Sequence, residues 1–249
     1  MSLFSLCAAK TTTMQRILFT IIALCCLQVS YGQKTEFRAA LNSGLFSFAG
    51  ESAESVSFIN YNDQTKSGYT NNPYGSKSGL GIGLSGNIKR ISKKDFILGT
   101  DLGYELLRSK VRIDEISGYT GSSTYSLDAK GKTFLNYSFI NLRLFAGYRL
   151  AANKINIDFT GGLEIGYCLN AKEDGSATAS DGIKYETSVD RKTIDMDIRP
   201  GIQIAANYKK AGAYIGYSFG LVNYKSGYDG GANECYARLL RFGLTYQIK

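Results

Sequence analysis

Between Phe159 and Asn170 the chain reads FTGGLEIGYCLN. Phe159, Leu163, Ile165, Tyr167 and Leu169 share one parity, while Thr160, Gly162, Glu164, Gly166, Cys168 and Asn170 share the other. Period-two alternation marks a strand with two unlike faces. The same pattern recurs along the chain and predicts eight strands: 35–49, 79–91, 95–110, 134–149, 155–171, 194–208, 212–224 and 235–248. Each is longer than the roughly 9–11 residues that a tilted transmembrane strand needs. After Gln33 no amphipathic helical pattern interrupts them.

The connections between these segments alternate in length. Residues 50–78 form a long link, SKK a turn, and VRIDEISGYTGSSTYSLDAKGKT a second long link. LAANK is again a turn, the next link is long, KKA is a turn, and KSGYDGGANE is long. An up-and-down barrel with both termini in the periplasm places every odd connection outside the cell and every even one in a tight periplasmic turn. The expected architecture is therefore all-β: an eight-stranded antiparallel up-and-down transmembrane β-barrel, preceded by a cleavable signal peptide.

In such a barrel the apolar parity faces lipid and the polar parity faces the lumen. The polar parities of the eight segments carry Glu36, Asp101, Glu105, Asp158, Glu164 and Asp197, and against them Arg38, Lys89, Arg143, Arg149, Arg199 and Arg241. Six acids meet six bases. A narrow lumen requires this balance, because an unpaired charge in low dielectric costs several kcal/mol. The predicted lumen network comprises Arg38, Lys89, Asp101, Glu105, Arg143, Asp158, Glu164, Asp197, Arg199 and Arg241, with Glu36 and Arg149 beside them. Arg238 lies on the apolar parity, near the expected extracellular end of its strand. Tyr148, Tyr208, Tyr246 and Phe96 fall at the other ends, where an interfacial aromatic girdle belongs. Pro200 sits inside the sixth segment and predicts a bulge beside Gly201 or a break in that strand.

Composition agrees with strands. Among 249 residues there are 18 Tyr and 28 Gly but only 2 Pro, and neither Trp nor His. Met14-Gln15-Arg16 followed by the apolar run Ile17–Leu27 and QVSYGQ has the form of a signal peptide, with Ser30 and Gly32 as the small residues before a cut at Gln33. The domains are thus 1–32, a signal peptide with Met14 as an alternative start, and 33–249, the barrel. Removing Lys10 and Arg16 with that leader takes the formal charge from +8 to +6. The basic residues do not cluster as a nucleic-acid footprint does, so no nucleic-acid partner is expected.

Candidate chemistry is sparse. GIGLSG (81–86) matches GxGxxG, but a dinucleotide site needs a strand before it and a helix after it, and here NIKRIS continues a strand. Without histidine the common hydrolytic mechanisms lose their base, and no metal-ligand spacing is present. No enzyme activity, catalytic residue, cofactor or metal is expected. Cys168 and Cys235 share the inward parity near the extracellular end; a disulfide between them and two free thiols are both open.

GGLEIGYCLNAKE (161–173), YSFGLVN (217–223) and YSFINLRLFAGY (137–148) resemble the strands of a known group, the Bacteroidota porin-family, PorT-like, outer-membrane β-barrel domain. Asn141 stands where that family usually has Pro. The resemblance runs from about Thr35 to the C-terminus. It implies a cell-envelope location in the outer membrane, with membrane lipid as a partner and the barrel-assembly machinery as a partner during biogenesis. The expected role is structural, or adhesion and interaction, through long extracellular loops whose ligand the sequence does not name, over a lumen filled by side chains. A small pore or transport protein, and an exported lipocalin-like ligand-binding barrel, are the alternatives.

Overall fold

The alternating segments pair side by side, and the last closes on the first. The computed structural model describes residues 34–227 and 233–249; the predicted signal peptide, 1–32, lies outside the described residues. Eleven strands occur among these: β1 (Lys34–Ala49), β2 (Val56–Asn62), β3 (Ser67–Thr70), β4 (Lys77–Ile91), β5 (Phe96–Tyr119), β6 (Thr124–Ala152), β7 (Ile155–Ala179), β8 (Lys184–Asp190), β9 (Met196–Tyr208), β10 (Ala211–Phe219) and β11 (Tyr236–Gln247). Eight of them form a ring in the order β1-β4-β5-β6-β7-β9-β10-β11, every neighbour antiparallel, with Leu45 of β1 opposite Leu240 of β11 at the closure. Closure leaves no free edge in the ring.

The three predicted short turns are tight. Asp95, Asn153 and Lys209 each adopt a positive φ there, at 61°, 55° and 51°. Asp and Asn accept the left-handed region more readily than most residues, so two of the three turns are chemically matched to their geometry.

Three differences from the predicted segments matter. The segments 95–110, 134–149 and 155–171 stop too early, because β5, β6 and β7 run on to Tyr119, back from Thr124 and on to Ala179. What reads as two long loops is mostly a continuous sheet projecting beyond the ring. Bulges at Ile113/Glu115 and at Leu169 shift the parity within it. β2 joins β5 in parallel and β8 joins β7, so the projection has six strands, β3-β2-β5-β6-β7-β8. At the other extreme, β10 ends at Phe219 rather than 224. That early end accommodates Pro200. β9 is neither bulged nor broken; Pro200 faces Leu163 on one side, and the β10 ladder has already ended at the Gly201–Ser218 pair on the other.

Candidate functional site: the filled lumen and the projecting sheet

Inward-facing side chains of the ring build two layers of charge. The lower layer lies near the chain termini. Glu36 accepts hydrogen bonds from Arg149 at 2.9 Å and Arg38 at 3.1 Å, and pairs with Lys89 at 3.5 Å. Asp158 accepts from Arg149 at 2.6 Å and also from Lys89. Two acids thus hold three buried bases, and the exposed Lys34 also pairs with Glu36 at 3.0 Å.

The upper layer reverses that excess. Arg241 donates to Glu105 at 2.7 Å and to Glu164 at 3.0 Å, and Glu164 also pairs with Arg199 at 2.9 Å. Asp197 faces Arg199 at 3.7 Å and accepts from the Tyr224 hydroxyl at 2.8 Å. Arg143 reaches Asp101 at 3.2 Å. Asn141 links the set, donating to Glu105 and accepting from Arg199, both at 2.7 Å. Four acids therefore hold three bases, and the two layers together are neutral. A cavity of about 70 Å³ lies against both, touching Arg38 and Asp158 below and Asp101, Glu105 and Arg241 above. All twelve residues of the predicted balance face inward and each makes at least one ion pair.

Glycine makes room for these side chains. A Cβ on Gly166 would sit 2.5 Å from Arg199 Nη2, and one on Gly83 would sit 2.5 Å from the Glu105 side chain. The glycines of GIGLSG therefore lie along β4, with Gly81 and Gly83 turned into the lumen, and no helix follows them.

Above the upper layer the lumen changes character. Phe46, Phe48, Tyr74, Tyr137, Phe139 and Tyr224 pack with Leu107, Leu135 and Leu239 in a cluster that is at most 4% exposed. Phe48 alone meets the rings of Phe46, Tyr74, Tyr137 and Tyr224, centroids 4.9–5.9 Å apart. Arg199 joins the two zones, its guanidinium 5.0 Å from the Phe139 centroid. This plug fills the mouth of the barrel. Cys235 is buried within it and Cys168 packs against it, and both are free thiols.

The outer surface shows the complementary exchange. Around the ring the outward side chains are apolar and exposed, as at Leu84 (65%), Leu102 (60%), Leu144 (55%) and Ile202 (70%). The alternation of β7 matches this, with Phe159, Leu163, Tyr167 and Leu169 all outward. Phe96 and Tyr148 pair across strands at the end of the ring that carries the short turns, with rings 5.5 Å apart. A surface this apolar, wrapped around an ionised interior, is the reverse of a soluble barrel. On β5 the change is abrupt. Below it, Leu102, Tyr104 and Leu106 point out while Asp101 and Glu105 point in; above it, Arg108, Lys110 and Arg112 point out while Leu107, Val111 and Ile113 point in. Arg238 sits at the same boundary on β11, over the Phe219 ring.

The projecting sheet has a core of its own, formed by Ile59, Val111, Ile113, Ile116, Ala129, Ala177 and Tyr185. Its free edges, β3 and β8, face each other and are tied by one buried acid. Glu173 accepts from the Thr70 amide at 2.7 Å and from Arg191, which also donates to the Thr70 carbonyl at 2.5 Å. Neither the plug nor this latch stands out in the sequence. Their only signal is that alternation continues past Lys110 and before Phe134 with its chemistry exchanged.

Fold and interior together define a membrane-spanning antiparallel β-barrel with a filled, charge-balanced lumen. No protein-family model matches the chain, and neither does any curated protein. Among solved structures it is similar to Neisserial surface protein A, at 11% identity over 86% of this chain and 99% of that one, with a TM-score of 0.37. It is also similar to Ail, the attachment invasion locus protein of Yersinia pestis, at 8% identity over 87% and 99%, TM-score 0.32. A third is the outer membrane protease OmpT from Escherichia coli, at 12% identity over 86% and 97%, TM-score 0.35. Likeness at this level speaks to neither activity nor partner.

Proposed function

We propose that the chain is a non-enzymatic outer-membrane barrel, with both termini in the periplasm, that acts through its projecting sheet. In this reading the role is structural or adhesive, and the family resemblance of the strand motifs to PorT-like barrels belongs to the same proposal. Membrane lipid surrounds the ring, and the barrel-assembly machinery inserts it. The observation that carries the reading is the exchange of faces at Leu106/Arg108, which gives the ring a lipid-matched exterior and the projection a water-matched one. The ion-paired layers and the aromatic plug argue against transport through the lumen, and the apolar exterior argues against a soluble, lipocalin-like barrel.

The test is made on the detergent-extracted full chain and on intact cells. Unboiled protein is expected to run at a shifted gel mobility, as folded barrels do, and to show no stable conductance in planar bilayers. Trypsin added outside is expected to cut only within the projection. Release by osmotic shock, steady single-channel currents, or protection of the projection with cleavage at the short turns would each overturn a named part of the proposal.

A further inference from the structure

Immediately above the apolar belt, the outward face of β4–β7 carries six cations: Lys77, Arg108, Lys110, Arg112, Lys132 and Lys172. Their arrangement is unfavourable in isolation. Lys77 is the cross-strand partner of Lys110, and Arg112 is the partner of Lys132. Like charges placed directly opposite on one face of a sheet destabilise it. Asp114 and Asp174 give weak, exposed relief, at 3.7 Å from Arg112 and 3.5 Å from Lys172. Lys77, Arg108, Lys110 and Lys132 have no carboxylate partner within 4.0 Å among the described residues. Between them stands Phe134, partner of Lys110, with Arg108 5.4 Å and Lys132 5.3 Å from its ring centroid. That shared ring orients two of the cations over one spot.

We infer that this face is a seat for the phosphate groups of a phosphorylated outer-leaflet lipid. The inference rests on the outer-membrane reading above. Three features select this occupant. Cross-strand partners lie about 4.5–5.5 Å apart at Cα, so both cationic ends of a pair reach a single phosphate. On β5 the collar begins one alternation above Leu106, which is exposed on the apolar belt. A ligand bound there with acyl chains lays them on that belt while its head group meets the cations. The collar is also confined to the strands that project, since β9 begins at Met196 opposite Tyr167 and β10 ends at Phe219, both below it, while β1 carries no outward Lys or Arg there and β11 carries only Arg238. Generic attraction to an anionic bilayer requires no such concentration.

The experiment uses the full chain refolded into phosphatidylcholine nanodiscs doped with either lipid A or enzymatically dephosphorylated lipid A, with bound lipid counted by mass spectrometry. The native chain is expected to retain lipid A and not the dephosphorylated form. Lys110→Gln combined with Lys132→Gln is expected to lower that preference about thirtyfold, at about 1 kcal/mol for each cation near a membrane surface. Lys184→Gln with Lys66→Gln, both beyond the collar toward the tip of the projection, is the control and keeps the preference. Equal retention of both lipids, an unchanged preference in the collar variant, or displacement of lipid A by millimolar inorganic phosphate overturns the inference. Failure of the outer-membrane reading is distinguishable, because the chain would then give no heat-modifiable folded band in any nanodisc.

Discussion

Neighbouring residues on one strand carry opposite obligations in this molecule. Leu163 faces lipid at 43% exposure, and Glu164, one residue on, is 4% exposed between Arg199 and Arg241. Leu163→Arg is expected to cost about 2–4 kcal/mol at mid-belt, while Glu164→Gln weakens the charge-assisted bonds of two guanidiniums that keep Glu105 and Asp197, at about 1.5–3 kcal/mol. The sizes overlap but the damaged step differs. Insertion assays should show Leu163→Arg failing to enter the membrane, and urea titration should show Glu164→Gln inserted but less stable. Cys235 offers a second test at this scale. Burial pushes its thiol up to about 12, from an ordinary 9.0. At pH 8 it is expected to resist maleimide in the folded protein and to react fully after denaturation; rapid native labelling counts against the buried plug.

At the scale of elements, the projecting sheet is held shut by Glu173 rather than by a ladder. β3 and β8 share no strand pairing, and the Arg191–Glu173–Thr70 contacts span their seam. Replacing Glu173 with Gln removes charge-assisted bonds worth about 1.5–3 kcal/mol. Amide exchange in β3 and β8 is expected to quicken by about 10- to 100-fold, a local opening that leaves β9 and β10 unchanged. Uniform acceleration across the ring would show that Glu173 supports the whole barrel instead. The elements were unequally legible. The ring strands follow from alternation because apolar and charged residues sort by parity throughout the belt. Upper β5 and β6 do not, since Val111, Ile113 and Ala129 turn inward among outward charges and read as loop composition. β2, β3 and β8 are 4–7 residues long and carry too few alternations to stand out.

For the whole molecule, closure is redundant. The plug seals the mouth, and the ion pairs fill the section below it. Phe48→Ala removes a ring that touches four others and is expected to lower stability by about 3–5 kcal/mol. Planar bilayers should nonetheless stay closed, because the lower layers remain. A conductance in this variant would assign the seal to the plug alone.

Parity, charge balance and connection length belong to the sequence by itself. They determine eight strands, the wet and the apolar face of each, and an interior with equal numbers of acids and bases, because period-two geometry ties side-chain direction to sequence position. Which base meets which acid is a tertiary fact. Arg241 lies 136 positions from Glu105 and Arg149 lies 113 from Glu36, and only ring closure and register bring them together. The separation into layers of opposite excess, the aromatic seal and the cationic collar are likewise set by height along the barrel axis. Strand tilt, stagger and bulges fix that height, and no local pattern encodes it.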